Sequence, residues 1–450
     1  MAGTALTKRE LMVVGGAAAL AAGLPTLPAL AQAPVAGDKP WAKTWDAALA
    51  TLAANVQVAP RFDQPVLFEA PIFKGLWLEC GPHESLAYAQ MARSVAPAAG
   101  RPSPWAVARN SHRIFFANQR PDGQLPASAN HYAGLDWSKI QMVVPIAATA
   151  LEVARALKDE AFLLEAYTAC GRWDDWLVQY RNTRGTGLVE AFCTFDTGQD
   201  NSPRWKGVAN ECPDKDARKF APRPSIPRLC PDLSATAFGG RVALAAMARA
   251  LGKPAEARAW AAKAEQIRRR ILDTLWCEED ASFYDVAPDG SFVKVRSVAN
   301  LRVLGEHVLR LDAPRERRMF EAMWTRQLHN PKAYWANYPF PSIALDDPKF
   351  VRPIPFNSWG GAVQALTALR TLRWMDHYGK SKAQDVVAER WCDAILRGGF
   401  CQQIDPETGE ATKANIHDYS PAALAFLHFA KRLGQAPGPS AAAATARVGP

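Results

Sequence analysis

The stretch from Phe195 to Trp205, Phe-Asp-Thr-Gly-Gln-Asp-Asn-Ser-Pro-Arg-Trp, combines residue types that suit sugar recognition. Its two carboxylates, Asp196 and Asp200, stand four residues apart with Gly198 between them. Asp, Thr, Asn and Ser side chains compete for backbone hydrogen bonds, and proline interrupts helices, so the stretch is predicted to be a loop. Its polar groups could bind hydroxyls while the indole covers an apolar sugar face. The same composition also fits a solvated turn with a capping aspartate.

Composition narrows the functional classes. The chain has 450 residues, of which 48% are hydrophobic and 22% charged, as in ordinary globular proteins. Its formal net charge of +9 permits an anionic glycan or cell-wall polymer as substrate, but a solvated basic surface is the favoured explanation. The arginines are scattered without a basic block, so no nucleic-acid partner is expected. No phosphate loop, nucleophile motif or metal-ligand spacing occurs, and no cofactor or metal is predicted.

Residues 1–31 have the pattern of a secretory signal peptide. Lys8 and Arg9 precede a short apolar run, and a small-x-small cleavage site ends at Ala31. Residues 7–11 also resemble a twin-arginine signal in which lysine replaces the first arginine. The pattern predicts a periplasmic or secreted protein, and no later run is apolar and long enough to span a membrane.

Eight cysteines in an exported protein could form disulfides. Cys212 and Cys230 bracket a loop rich in lysine, arginine and proline, and a bridge between them is expected. Cys170, Cys277 and Cys392 lie in helical patterns and are predicted to be small core residues.

Beyond the signal, apolar residues spaced three and four apart predict about a dozen helices. They are expected near residues 41–56, 84–95, 105–118, 137–158, 160–180, 233–251, 254–276, 299–309, 313–327, 358–378, 382–396 and 418–431. Strand-like patterns are confined to residues 69–77 and to a hairpin of residues 282–286 and 291–295.

Helices that alternate with loops and share no repeat signature fit an all-α (α/α)6 toroid, a six-hairpin barrel with a few short strands in its loops. In that fold the ends of the inner helices and their loops line one central pocket. We predict a single domain over residues 40–434, because no change in composition marks a linker. The Ala/Pro/Gly-rich tail, residues 435–450, is expected to be disordered.

The 195–205 stretch resembles the acid-bearing loop of the inverting glycosidase clan that contains trehalase, processing α-glucosidase and mannosylglycerate hydrolase. That clan's loop reads Glu-Ser-Gly-x-Asp-x-Ser-x-Arg-Trp. Asp196 stands at the glutamate, Asp200 at the general acid, and Ser202, Arg204 and Trp205 also match. Further segments resemble the clan in the same order, at residues 119–126, 231–236, 275–285 and 405–410.

The resemblance implies an exported inverting glycoside hydrolase, acting on an α-linked or unusual glycan with Asp200 as general acid. Inversion requires a second carboxyl group, roughly 6.5–9.5 Å away, that activates a water molecule. In the clan this base is a glutamate ahead of an Asn/Asp-Pro-x-Thr-Gly turn, where this chain has Gln402. One hypothesis assigns the base to another acid, with the candidates Glu79, Glu84, Asp346 and Asp347. A second has the protein bind glycans without hydrolysing them, and a third shifts the register to Asp405 or Glu410.

The resemblance also suggests sugar contacts. The segment around Trp77 and Glu79 stands where the clan has a Trp-Asp segment against the buried sugar, so Trp77 would stack and Glu79 would replace the aspartate. The loop with Asn357 and Trp359 lacks the clan's arginine and proline, which puts the usual substrate in question. The predicted substrate-binding residues are Trp77, Glu84, Gln124, Asp196, Asn201, Arg204, Trp205, Trp335, Asn357, Trp359, Gln402 and Gln403.

Two other functional classes stay open at this point. Polysaccharide lyases share the toroid and act on uronic acids, which would suit the positive charge. A non-catalytic glycan-binding protein is suggested by Gln402. The sequence does not specify the sugar, the linkage or the oligomeric state.

Overall fold

The computed structural model describes residues 41–95, 100–352, 359–412 and 416–437. The predicted signal peptide and most of the predicted tail lie outside these residues, so both stay predictions.

Twelve α-helices occur in the described part of the chain, one for each predicted segment. They are α1 (Trp41–Asn55), α2 (Gly81–Gln90), α3 (Pro104–Ala117), α4 (Ile146–Leu157), α5 (Glu160–Tyr180), α6 (Pro231–Ala250), α7 (Pro254–Thr274), α8 (Ala299–Gly305), α9 (Pro314–Met323), α10 (Ala365–Arg370), α11 (Ser381–Gly398) and α12 (Ser420–Arg432). Several begin as their sequences favour: Ser103 caps α3 and Asp159 caps α5 by accepting backbone N–H groups.

Two helices are at least ten residues shorter than predicted. The segment predicted over 137–158 becomes helical only at Ile146, because Asp196 accepts the backbone N–H groups of Ile140 and Met142 and keeps this part of the chain extended. The segment predicted over 358–378 is helical over α10 and continues as a 3₁₀ turn, Thr371–Arg373. The spacing of apolar residues in the sequence does not reveal that a residue distant in the chain will hydrogen-bond to the backbone in this way.

The strands are short and belong to loops. They are β1 (Val56–Val58), β2 (Pro65–Leu67), β3 (Gly75–Trp77), β4 (Ser128–Asn130), β5 (Gly134–Asp136), β6 (Glu190–Ala191), β7 (Arg228–Leu229), β8 (Trp276–Cys277), β9 (Ser282–Phe283), β10 (Asp285–Val286), β11 (Phe292–Val293), β12 (Val363–Gln364) and β13 (Gln403–Ile404). The predicted hairpin is confirmed by the antiparallel pairing of β10 with β11, and the strand order of its sheet is β11-β10-β7-β6. Of the strand-like residues 69–77, only β3 is a strand, paired with β4.

The even-numbered helices contact one another in chain order. α2 contacts α4, α4 contacts α6, and α6 contacts α8; α8 then meets the turn after α10, α10 contacts α12, and α12 contacts α2. Odd-numbered helices pack against this set, as α3 does on α2 and α4, and α5 on α4 and α6. The even-numbered helices are accordingly more deeply buried: every residue of α10 is buried, whereas α7 buries a single stripe.

All eight cysteines are buried, and Cys212 and Cys230 lie in separate groups, so the expected bridge between them is not formed in the structure. Cys212 lies beside Cys193, and Cys230 belongs to a separate buried group with Asp232 and Asp285. No helix in the described ranges has the length and apolar composition that crossing a bilayer requires.

Candidate active site

The predicted loop from Phe195 to Trp205 is a loop in the structure, made of two short 3₁₀ turns. Between the turns, Gly198 and Asn201 take left-handed conformations, with φ of +60° and +58°. Glycine adopts this conformation freely and asparagine more readily than most residues, so the sequence suits the bend. The bend sets Asp200, which is partly exposed, between a buried first turn and a buried second turn.

Asp196 holds the first turn in place. It is fully buried and accepts 2.6 Å and 3.3 Å hydrogen bonds from Arg181. Backbone N–H groups of Ile140 and Phe192 donate to the same carboxylate at 2.9 Å and 2.8 Å. This saturated, enclosed carboxylate supports the loop, a different role from the sugar contact that the sequence predicted.

Arg204 and Trp205 hold the second turn from inside. Arg204 donates to Asp232 at 2.9 Å and 2.8 Å and to Asp285 at 2.7 Å and 2.5 Å. The indole N–H of Trp205 donates to Thr197 at 3.0 Å, and only 2% of the residue is exposed. Both side chains therefore position the loop, although the sequence predicted them as sugar contacts.

Gln124 and Gln403, also predicted to contact sugar, are fully buried and engaged within the protein. The Gln124 side chain accepts from Arg120 at 2.8 Å and donates to a backbone carbonyl at 3.2 Å. Gln403 accepts from Gln364 at 2.9 Å and donates to Thr412 at 2.7 Å. These contacts stabilise loops and the β12–β13 pair.

Glu79 lies directly beneath the acid-bearing loop. A Cβ atom added to Gly198 would stand 1.5 Å from Glu79 Oε2, so only glycine leaves room for this carboxyl group. Glu79 is 7% exposed, and its Oε2 has no hydrogen-bond partner among residues 41–95, 100–352, 359–412 and 416–437. Its backbone carbonyl accepts a 3.0 Å hydrogen bond from Arg370 of α10. The structure thus brings the two predicted catalytic acids to the same loop, from positions 121 residues apart in the chain.

Burial gives these two acids different proton affinities. Burial raises the pKa of Glu79 to about 8, although the positive charges of Arg370 and Arg302 oppose the shift. Burial also raises the pKa of Asp200, to about 6, against the opposing charge of Lys139. The charge of Asp200 contributes to the raised pKa of Glu79, so the two groups sense each other.

Two further glutamates, Glu69 and Glu84, lie close by. With the thiol of Cys80 they form a buried group whose ligand atoms lie within 4.8 Å of one another. Among the described residues, neither carboxylate oxygen of Glu84 has a nitrogen or oxygen hydrogen-bond partner, whereas Glu69 accepts from the hydroxyl of Tyr419. Burial raises the pKa of each glutamate to about 8. Sequence reasoning missed Glu69, whose signal was a single acid inside the apolar run Val-Leu-Phe-Glu-Ala.

Positive and aromatic groups complete the surroundings. Arg302 of α8 donates to the backbone carbonyl of Thr197 at 2.6 Å, and its guanidinium lies 5.4 Å from the ring centre of Trp359. The backbone N–H of Trp359 donates to the carbonyl of Asp200 at 3.3 Å, which places this predicted residue at the loop. Nη2 of Arg302 and Nε of Arg370 have no hydrogen-bond partner in the part of the chain that the structure describes. Sequence reasoning missed both arginines, because an arginine on a helix usually faces solvent.

The remaining predicted residues are dispersed. Trp77 is half-buried at the end of β3, with its ring 5.3 Å from Phe73, and Asn201 is exposed. Trp335 packs in an aromatic cluster with Trp324, His329 and Phe340. Gln402 is buried at the start of the chain segment leading into β13, and its carbonyl accepts from Ala365. Asn357 lies outside the described residues.

Apart from Glu84, the other candidates for the catalytic base are engaged elsewhere or exposed. Asp346 forms a 2.8 Å ion pair with Arg296, and Asp347 accepts the Arg296 backbone N–H at 2.8 Å. Asp405 accepts backbone N–H groups of its own turn, and Glu410 is exposed. Glu79 is the candidate that lies against the Asp200 loop.

Comparison with known proteins identifies a family for the chain. The family model described as a mannosylglycerate hydrolase MGH1-like glycoside hydrolase domain matches residues 100–420. No curated protein sequence matches the chain significantly.

Among solved structures, the mannosylglycerate hydrolase of Thermus thermophilus in complex with glucose has a TM-score of 0.64 at 18% identity, covering 85% of this chain and 98% of that one. Neutral trehalase from Saccharomyces cerevisiae has a TM-score of 0.60 at 14% identity, covering 88% of this chain and 81% of that one. A rhamnosidase from Klebsiella oxytoca with bound rhamnose has a TM-score of 0.55 at 12% identity, covering 89% of this chain and 65% of that one. These structural likenesses concern the fold.

Proposed function

Because the chain belongs to the mannosylglycerate hydrolase MGH1-like glycoside hydrolase family, and is therefore a glycosidase, we propose that it cleaves an α-linked or unusual glycan with inversion of configuration. The six even-numbered helices form the inner wall of an (α/α)6 toroid, which the contacts of α2, α4, α6, α8, α10 and α12 in chain order support. The enzyme acts after export, in the periplasm or outside the cell, as the pattern of residues 1–31 predicts.

The observation that carries this proposal is the pair of Asp200 and Glu79 beside one loop. Asp200 is partly exposed and is the general acid that protonates the leaving oxygen near the mouth of the pocket. Glu79 lies deeper and is the base that removes a proton from the attacking water. Arg302 and Arg370 favour the charged form of Glu79 that this role needs. Trp359, whose backbone is bonded to Asp200, borders the sugar.

The pKa values of Asp200 and Glu79 determine the pH range in which the two residues can act as acid and base. Between pH about 6 and about 8 the pair holds a single proton, which in the free protein resides mainly on Glu79. The reactive form has that proton on Asp200. A bound sugar shields Asp200 from water and raises its pKa, so substrate binding shifts the proton towards the general acid.

The order of the pKa values also supports a second assignment, in which Glu79 is the acid and Asp200 the base. A substrate with an activated leaving group no longer needs the general acid but still needs the base. The two assignments therefore differ in which residue can be removed without loss of activity on such a substrate. Fluoride needs little protonation, so a glycosyl fluoride relieves the loss of the acid but not the loss of the base.

We would compare Asp200→Asn and Glu79→Gln on α-mannosyl fluoride and α-glucosyl fluoride and on the matching disaccharides. The choice of hexoses follows the glucose bound in the Thermus thermophilus structure. Asp200→Asn is expected to lose about 10³-fold on a disaccharide and about tenfold on the fluoride, while Glu79→Gln loses activity on both. The opposite pattern would establish the exchanged roles. If both variants kept parental rates, neither residue would be catalytic.

The stereochemical course of the reaction is tested by a separate measurement. Proton NMR of the first product should show the β-anomer before mutarotation, because inversion converts an α-linkage into a β-hemiacetal. An α-anomer appearing first would contradict the inverting mechanism. A new ultraviolet absorbance from an unsaturated product would instead indicate a lyase.

Substituting Gln402 distinguishes a hydrolase from a protein that only binds glycans. If the glutamine had abolished catalysis, Gln402→Glu would restore the clan's base and create activity in an inactive protein. We expect the parent to be active already and Gln402→Glu to be no faster, because Glu79 supplies the base. Activity confined to the variant would identify the natural protein as a glycan-binding descendant.

A further inference from the structure

Two buried cysteines stand at the two ends of the acid-bearing loop. Cys193 immediately precedes the first turn of the loop, Cys212 follows its last residues, and their sulfur atoms lie within 4.8 Å of each other. Backbone hydrogen bonds from Thr194 to Ala209 at 2.9 Å and from Phe195 to Asn210 at 3.1 Å hold the two ends side by side. The structure holds both residues as free thiols.

The surroundings of the two sulfur atoms do not suit a metal ion. The nearby carboxylate of Asp196 already accepts hydrogen bonds from Arg181 and from backbone N–H groups. Arg181 also donates to the sulfur of Cys212 at 3.7 Å, so a cation would face a buried guanidinium. With no further available ligand among the described residues, the chemistry open to two neighbouring thiols is oxidation to a disulfide.

We propose that Cys193 and Cys212 form a disulfide that closes the base of the loop carrying Asp200. Each thiol loses its proton, and the two sulfur atoms together give two electrons to a disulfide oxidant, such as oxidised glutathione or a protein disulfide. The oxidant is reduced to two thiols as the new sulfur–sulfur bond forms. An oxidising compartment of the kind that the N-terminal pattern predicts supplies such an oxidant.

The bond forms while the chain folds. In the folded protein, burial raises the pKa of the Cys193 thiol well above its ordinary value, and a protonated buried thiol attacks disulfides slowly. The bridge should therefore be acquired before the loop is enclosed and should afterwards resist mild reductants. Its effect is mainly on stability, because it restricts the unfolded chain between residues 193 and 212.

Peptide mapping tests the link directly. The full chain would be made by cell-free translation in buffer with oxidised glutathione and, separately, in reductant, and then digested with trypsin without reduction. Cleavage after Arg204 and Lys206 separates the Cys193 and Cys212 peptides, so only a disulfide can keep them joined. We expect that joined pair in the oxidised sample and none in the reduced one. Eight alkylatable thiols after oxidation, or a link from Cys212 to Cys230, would overturn the proposal.

Thermal unfolding gives a second readout with a matched control. Oxidation should raise the Tm of the parent by about 4 °C, as expected for a ring of this size in a chain of this length. Cys193→Ser and Cys212→Ser should show no such shift between oxidised and reduced samples. Cys170→Ser, which removes another buried thiol, in α5, should keep the full shift. An equal shift in all three variants would contradict the assignment. None of these readouts depends on glycosidase activity.

Discussion

The acids around the Asp200 loop form two sets that differ in their hydrogen-bond partners. The paired acids, Asp196 and Asp232, are fully buried, and each is hydrogen-bonded to an arginine. The pocket acids, Glu79, Glu84 and Asp200, have no arginine hydrogen-bonded to their carboxyl groups among the described residues, and Glu84 is as deeply buried as Asp196.

The consequence is visible in their proton affinities. Burial alone would raise the pKa of Asp232, but Arg204 and Arg302 outweigh it, and the pKa lies below its ordinary value. At Glu84, burial outweighs the charge of Arg370, and the pKa rises to about 8. A buried acid with its own arginine stabilises a loop, whereas burial without such an arginine raises the pKa of an acid towards the neutral range, as acid–base chemistry requires.

Removing a paired acid should have the largest effect on stability. Asp196→Ala leaves the buried Arg181 without its counter-charge and should lower the free energy of unfolding by about 3–5 kcal/mol. Chemical denaturation followed by tryptophan fluorescence measures this. Asp175→Ala, at an exposed ion pair, is the control and should change stability by less than about 1 kcal/mol. A similarly small loss at Asp196 would remove the distinction between the two sets.

Neutralising a pocket acid should instead stabilise the protein at alkaline pH. The folded pKa of Glu84 lies above the unfolded value, so its stabilising contribution is complete below pH about 4.5 and is lost as pH rises through about 8. Glu84→Gln avoids burying a charge and should be more stable than the parent by on the order of 2–4 kcal/mol at pH 9, with little difference at pH 5.

Parallel denaturation curves of parent and variant at the two pH values measure that difference. Glu279→Gln, whose parent side chain is largely exposed, should show no such pH dependence. If Glu84→Gln were destabilising at pH 9, a partner for Glu84 would have to exist in solution.

Gly198 lies in the loop between Asp196 and Asp200 and leaves room for Glu79. Adding a single methyl group at this position tests the role of Glu79. Gly198→Ala combines a left-handed backbone with a contact of 1.5 Å to Glu79 Oε2, so it should cost about 2 kcal/mol and displace Glu79. Gly207→Ala is the matched control, because that glycine also has a positive φ but open space around it. We expect at least about a hundredfold loss of kcat/KM for Gly198→Ala and near-parental activity for Gly207→Ala. Equal kcat/KM values for the two variants would show that catalysis does not depend on the position of Glu79.

The smallest expected effect is the pH dependence of the parent enzyme. Below pH about 6 both Asp200 and Glu79 are protonated and no base is available; above pH about 8 both are charged and no acid is available. The kcat/KM profile on an α-glycosyl disaccharide should therefore be bell-shaped with a maximum near pH 7, falling about tenfold by pH 5 and by pH 9. A profile that stayed flat up to pH 9 would contradict the assignment of Glu79.

Much of the fold was predictable because helix formation leaves a local signal. The predicted bounds of α5 agree with the structure, and the hairpin of β10 and β11 was recognised from a proline-aspartate-glycine turn. Predicted helix ends were wrong where residues distant in the chain hydrogen-bond to the backbone. The start of α4 was placed too early because Asp196, far along the chain, binds the preceding segment.

The candidate site was predictable to a smaller extent. Asp200 and Glu79 were both proposed from the sequence, and the structure places them at one loop, although their catalytic roles stay proposals. Asp196 and Arg204 were proposed as sugar contacts because their residue types suit hydroxyl groups equally well. The partner of each decides between these roles, and Arg204 finds Asp285 at a distance of 81 residues in the chain.

The sequence by itself determined the helical periodicity, the loop character of residues 195–205 and the identity of the acids available for chemistry, since these depend on residue type and short-range spacing. Only the tertiary structure decided which of the described acids are hydrogen-bonded to an arginine and which are not, and it alone brought Glu69, Arg302 and Arg370 close to Glu79. The physical reason is that a carboxyl group's proton affinity depends on the charges and solvent around it, and folding assembles these from distant parts of the chain.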